Sequence, residues 1–216
     1  MSNKNTITII GMGRMGEAIA TGLSNGKDRV LLFDRTYTKA EKLANKLKSK
    51  NAGYDVEAID CEINACWEAD IIIPAVPYSA QAEVAKKIKE KANQKIVIGM
   101  ANPFNKEFNG LVTETSAGEE LQKLLPNSKV VKAFNTIFSK LIYDPVIDGE
   151  PLDCYLAGND PAAIETISEL VKTIGFNPVA IGDISASRTL ELMCVLLIKV
   201  NGKYKFPKAG WKLLHN

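Results

Sequence analysis

Histidine is nearly absent from this chain: the one copy is His215, next to the last residue. A nucleophile–histidine–carboxylate set therefore has no suitably placed base. A zinc site likewise lacks clustered His and Cys ligands. The four cysteines, Cys61, Cys66, Cys154 and Cys194, form no C-x-x-C pair. They read as reduced thiols in or near a core, and no metal site is expected. Charge of one sign is lacking too. The 27 basic and 25 acidic residues leave a net charge of +2, with no long basic run. That balance gives no footprint for nucleic acid, although a local basic patch for a phosphate-bearing small molecule fits within it. No apolar stretch approaches the ~20 residues needed to span a bilayer. The longest, Leu190 to Val200, is interrupted by Glu191 and Lys199. The polar start, Met1 to Thr6, leads straight into a strand and lacks the pattern of a signal peptide. The expectation is a cytoplasmic protein with neither nucleic acid nor membrane as partner.

What is present is an alternation of strand-like and helix-like segments, the mark of an α/β fold. Strands are predicted at 6–10, 29–33, 56–59, 70–75, 95–99, 129–134, 153–157 and 177–181. Helices are predicted at 14–25, 39–50, 63–68, 81–92, 119–125, 160–174 and 185–200. The Ile71-Ile72-Ile73 run suits a strand buried on both faces. Asp160, Pro161 and Gly175 read as the cap, first turn and stop of one helix. Segments 102–110 and 144–150 read as loops. No repeat or linker breaks the pattern. The 216 residues are expected to form one domain, 1–216, whose extension from about residue 140 completes the fold. The last helix carries few charges and is expected to be buried, against this domain or a second subunit.

Gly11, Gly13 and Gly16 form G-x-G-x-x-G, in the run Gly11-Met12-Gly13-Arg14-Met15-Gly16. The motif follows a predicted strand and opens a predicted helix, the context in which it signals a dinucleotide's pyrophosphate. Gly11 permits the tight turn, Gly13 the approach of the phosphates, and Gly16 close packing of helix on strand. The helix N-terminus offers free N–H groups and partial positive charge. The fold class is therefore α/β, a doubly wound, Rossmann-type, mostly parallel sheet with helices on both faces and a C-terminal apolar helix.

The second strand ends in Asp34-Arg35-Thr36, with Lys39 one helical turn on. Asp34 stands where a carboxylate accepts from ribose hydroxyls, which favours NAD. Arg35 and Lys39, with Thr36 as a further donor, suit a 2′-phosphate, which favours NADP. The cations outnumber the anion, so NADP is the preferred reading, with NAD as the alternative. Ligands of such sheets lie beyond the carboxyl ends of the strands. That rule adds Ala75, Val76, Pro77 and Tyr78, then Asn102 and Pro103, then Ala133, Asn135, Thr136 and Ile137 as cofactor-binding candidates. Phe134 reads as core. No catalytic acid or base stands out. Tyr78 and Lys132 are available, but nothing singles them out. Hydride transfer between two redox rings needs proximity more than a protein proton donor.

Several segments carry a family resemblance: I-G-M-G-R-M-G from Ile10, A-D-I-I-I-P-A-V-P-Y from Ala69, N-P-F-N from Asn102, V-V-K-A-F-N-T-I from Val130 and A-G-N-D-P from Ala157. In this order the chain resembles the NADP oxidoreductases dependent on the deazaflavin coenzyme F420, and the related reductase domain of the STEAP-type metalloreductases. The resemblance implies that Arg35 and Lys39 hold the 2′-phosphate. It also implies that Ala133 to Ile137 lie beside the nicotinamide. It further implies hydride transfer between NADP(H) and F420 or a flavin-like ring, a small-molecule co-substrate, and a homodimer. That family usually has a small hydroxyl residue where this chain has Asp34. Two other readings stand beside it. I-G-M-G-R-M-G-E-A-I-A is similar to the opening of pyrroline-5-carboxylate reductase, but that family adds a largely helical domain where this chain continues in strands. A dinucleotide sensor without turnover is the non-enzyme alternative.

Overall fold

The computed structural model describes residues 4–214; His215 and the first three residues lie outside the described residues. Eight strands form one sheet. The first six are β1 (Thr6–Ile10), β2 (Arg29–Phe33), β3 (Val56–Ala58), β4 (Ile71–Pro74), β5 (Ile96–Gly99) and β6 (Lys129–Lys132). They are all parallel, in the order β3-β2-β1-β4-β5-β6. β1 and β4 lie side by side, so the chain reverses its direction of progress between them, and a crevice opens at their carboxyl ends. β4 is buried along its whole length, as an all-apolar Ile-Ile-Ile-Pro strand with helices on both faces requires.

Beyond β6 the sheet changes character. β9 (Asp153–Gly158) runs antiparallel to β6, and β10 (Asn177–Ala180) runs parallel to β9. The reason lies in the connections. Between β6 and β9 stand only the short helix α6 (Ser139–Ile142) and a two-stranded hairpin, β7 (Val146–Ile147) with β8 (Glu150–Pro151). No crossover helix carries the chain back, so β9 returns in the opposite sense. α7 (Pro161–Ile174) is such a crossover and leaves β10 parallel to β9. The Asp160 carboxylate caps α7 by accepting from the Ala163 N–H, and Gly175 ends it at φ +104°.

The remaining helices are α1 (Arg14–Gly22), α2 (Tyr37–Lys50), α3 (Glu62–Glu68), α4 (Tyr78–Ile88), α5 (Ala117–Leu124) and α8 (Ser187–Tyr204). Several details differ from the sequence reading: β6 ends at Lys132 rather than 134, α4 ends at Ile88 rather than 92, and α2 and α5 each begin two residues early. α1 ends at Gly22 and residues Leu23–Asn25 tighten into a 3₁₀ turn, a common way to finish a helix. α4 begins at Tyr78, directly after Pro77, earlier than its apolar period suggests. The loop expected at 144–150 contains most of the β7–β8 hairpin, whose turn uses Asp148 and Gly149 at positive φ. α8 begins at Ser187 and runs four residues past Val200. The core fills both faces of the sheet, one side packed by α1, α2 and α7, the other by α3, α4 and α5. Among the described residues no helix is long and apolar enough to cross a membrane.

Candidate functional site

The loop after β1 is set by its neighbours on both sides. The Gly11 N–H donates to Phe33 O at 2.7 Å and the Ala75 N–H to Ile10 O at 2.8 Å. Gly11 sits at φ +98°, a conformation side chains rarely adopt. A Cβ on Gly16 would stand 2.0 Å from Gly11 O, so the helix packs against the loop only because Gly16 has none. A Cβ on Gly13 would meet nothing within 4 Å: its open side faces space. α1 has no side-chain cap, so its first-turn N–H groups are not taken up by a capping residue. Glycine geometry and an uncapped helix start make a cradle for an anion.

Around this cradle lies a cleft of about 280 Å³. It brings together Gly11, Met12, Gly13, Asp34, Arg35, Thr36, Lys39, Ala75, Val76 and Pro77, all singled out by sequence. Arg14 and Met15 are not in its lining; Arg14 is exposed at the start of α1, and Met15 packs partly buried against the core. Asp34 is committed in a way that sequence did not suggest. Its two carboxylate oxygens accept from the backbone N–H groups of Met12 (2.8 Å) and Thr36 (2.9 Å). It thus clamps the phosphate loop to the end of β2. Arg35 and Lys39 are exposed, and neither makes an ion pair among the described residues. Sequence reasoning missed the far wall, Glu62, Ala80, Glu83, Val84 and Lys87 of α3 and α4. Their helical spacing marks only an exposed face, and nothing local says what that face borders.

The other predicted residues gather at the ends of β5 and β6. Ala133, Asn135, Thr136 and Ile137 are all buried. Phe134 takes φ +59° with its ring in the core, turning the chain sharply after β6. Asn135 then faces Asn102. The Asn135 amide donates to Asn102 Oδ1 (3.0 Å) and Leu190 O (3.0 Å), and the Asn102 amide to Asn135 O (2.9 Å). Pro103 is buried beside this pair in sequence. Tyr78 turns toward α5, where its hydroxyl donates to Glu120 at 2.7 Å. Burial, helped by that hydrogen bond, pushes Tyr78 up to about 12.

Beneath Asn102 and Asn135 lies a buried ion pair. Lys132 Nζ donates to Glu191 at 2.5 Å and to Ala101 O at 2.6 Å, with both charged side chains fully buried. Glu191 also accepts from the N–H groups of Ala117 and Gly118 at the start of α5. Burial pushes Glu191 up and Lys132 down, and each shift is opposed by the partner's charge. Lys132 is therefore a structural tie rather than an available proton donor, contrary to the openness that the sequence left. A larger depression, about 650 Å³, lies near the amino end of β6 between α5 and α7. Of its lining charges, Glu119 pairs with Arg188 and Lys129 with Asp160.

A glycine cradle at the β1–β4 reversal, flanked by two uncommitted cations, defines a dinucleotide-binding protein of the Rossmann type. Residues 6–103 match the family model described as NADP oxidoreductase, coenzyme F420-dependent. The chain is 30% identical over 215 residues to an F420-dependent NADP reductase of Methanocaldococcus jannaschii, covering 94% of this chain and 95% of the relative. It is 26% identical to the metalloreductase STEAP3 of Rattus norvegicus, covering 89% of this chain but 37% of that longer protein. Among solved structures, a protein from Arthrobacter sp. FB24 proposed to be an F420-dependent NADP reductase shares the fold. Its TM-score is 0.82 at 22% identity, over 97% of this chain and 99% of that one. The chain belongs to the F420-dependent NADP oxidoreductase family and is an oxidoreductase.

Proposed function

We propose that this chain transfers a hydride between NADP(H) and a deazaflavin of the F420 type, or a flavin-like ring. The observation that carries the reading is the phosphate cradle with Arg35 and Lys39 uncommitted beside it, in a chain similar over its whole length to an F420-dependent NADP reductase. The residues fit the coenzyme: Gly13 leaves the space a Cβ would fill, and α1 offers uncapped N–H groups. The nicotinamide coenzyme supplies or accepts the hydride. The phosphate loop and α1 would hold the pyrophosphate, and Arg35 and Lys39 the 2′-phosphate. Ala75 to Pro77 of the cleft wall and the half-buried Asn102 would border the nicotinamide, with Tyr78 turned aside toward α5 and Pro103 and Ala133 to Ile137 buried behind them. The Asn102–Asn135 pair stiffens that border.

The chain's own part is orientation. Tyr78 is tied to Glu120 and Lys132 to Glu191, so neither is free to move a proton. With the coenzyme bound, reduction of an acceptor ring would take a hydride and one proton, and neither Tyr78 nor Lys132 is placed to give that proton. We further propose that the protein works in the cytoplasm as a homodimer, a reading supported by Leu192 and Leu196 standing exposed on α8.

The test is a spectrophotometric one. Purified protein is mixed with NADPH, and F420 or FMN is added separately. Loss of the nicotinamide absorbance band upon addition of F420 is expected. Tight NADPH binding with no oxidation by either acceptor contradicts the hydride-transfer reading and favours a sensor.

A further inference from the structure

The wall of the cleft at the end of β2 holds an anion tied through both of its oxygens. Asp34 accepts from the Met12 N–H through one oxygen and from the Thr36 N–H through the other. Rotating the carboxylate out of the cleft would break both hydrogen bonds, the Met12 one part-buried and the Thr36 one exposed, so the folded loop favours keeping the charge beside the ribose site. A carboxylate offers about four acceptor positions. Two are used here, which leaves capacity to accept from a ribose hydroxyl. The surrounding charges are balanced: Asp34, Glu62 and Glu83 against Arg35, Lys39 and Lys87. Glu83 and Lys87 are paired with each other at 2.7 Å. What remains in the cleft is therefore two cations, Arg35 and Lys39, and two carboxylates, Glu62 on the far wall and Asp34 tied to the phosphate loop, not a purely basic pocket.

We propose that Asp34 is a specificity-determining residue that makes this chain take NAD(H) alongside NADP(H), rather than NADP(H) alone. A 2′-hydroxyl meets the Asp34 acceptor. A 2′-phosphate meets Arg35 and Lys39 but is repelled by Asp34. Selectivity is a difference of two affinities, and the same carboxylate raises one while lowering the other. The inference rests on the nicotinamide-binding part of the function proposed above, and not on the identity of the acceptor.

The experiment is equilibrium titration of the purified full chain with NADPH and with NADH, followed by coenzyme fluorescence and checked by calorimetry. No acceptor is present. The unmodified chain is expected to bind both, with dissociation constants within about tenfold to thirtyfold of each other. Asp34→Ser removes the charge but keeps an oxygen for the Met12 N–H; it is expected to weaken NADH by about tenfold or more and to leave NADPH equal or tighter. Asp34→Asn, the neutral isostere, is expected to move selectivity the same way, and Arg35→Ala the opposite way. Melting midpoints of the free variants show that each is folded. If both Asp34 variants weaken the two coenzymes in equal proportion, Asp34 is only a clamp for the loop and the proposal is overturned. Binding of NADPH with no measurable NADH binding overturns it while leaving the proposed function standing. Dual binding without hydride transfer to F420 or flavin does the reverse.

Discussion

Gly13 and Gly16 stand three residues apart in one motif, yet the structure asks different things of them. Gly16 is glycine because of the fold: a Cβ there would overlap Gly11 O at 2.0 Å. Gly13 has φ −84°, which alanine adopts freely, and open space where its Cβ would go. Gly16→Ala should therefore lower the melting midpoint clearly and abolish tight NADPH binding as a consequence. Gly13→Ala should leave the midpoint unchanged or slightly higher, because alanine restricts the unfolded chain. Its effect should appear as NADPH binding weakened by about tenfold or more, since the methyl fills the approach to the phosphates. Thermal melting and coenzyme titration of the two variants check this. Unimpaired NADPH binding by Gly13→Ala would contradict the phosphate-cradle reading.

At the scale of elements, one ion pair ties together pieces distant in sequence. Lys132 ends β6, Glu191 lies in the second turn of α8, and the start of α5 and the end of β5 join them through Ala117, Gly118 and Ala101. The pair supports the floor under Asn102 and Asn135. Removing one partner leaves the other buried and unpaired, so Glu191→Leu should cost about 3–5 kcal/mol at neutral pH. The sign of its pH dependence follows from linkage. Without Glu191, burial depresses the Lys132 pKa in the folded state below its value in the unfolded chain. The unfolded chain then binds more protons, and stability rises with pH. The deficit of the variant should shrink as pH rises toward the ordinary lysine range. The double variant Lys132→Met with Glu191→Leu should recover most of the loss. Urea unfolding of the unmodified chain and the two variants at two pH values measures it. A single-variant loss under about 1 kcal/mol would show that the pair is not held as tightly as its geometry implies.

For the whole molecule, the matter is what covers α8. Its inward residues Leu190, Glu191, Cys194, Val195 and Leu197 are buried, while Leu192 is 59% and Leu196 49% exposed. Two exposed leucines four residues apart lie on one helical face, and apolar area of that kind favours association. If the homodimer proposed above uses this face, Leu192→Glu with Leu196→Glu should yield a monomer in gel filtration with light scattering. NADPH binding should persist, because neither residue lines the coenzyme cleft. A variant that stays dimeric places the interface elsewhere.

The sequence by itself determined the alternation of strands and helices, the phosphate loop and the Arg35–Lys39 pair. Each depends on neighbours a few residues away, and hydrophobic period or motif spacing encodes such neighbours directly. The capping of α7 by Asp160 and Gly175 was legible for the same reason. Tertiary structure decided the rest. Asp34 read as a ribose ligand until Met12, 22 residues earlier, took one of its oxygens. Glu191 read as a polar break in an apolar helix until Lys132, 59 residues away, lay against it. Glu83 and Lys87 carried no signal of their own, and only the packing of α4 beside the phosphate loop puts them in the cleft wall. The reversal of β9 followed from a connection too short in helix to cross the sheet, which no strand pattern records. A carboxylate or ammonium has the same local signature whether it meets water or a buried partner. Only the folded chain settles which, because burying such a charge unpaired costs more than a small protein can spare.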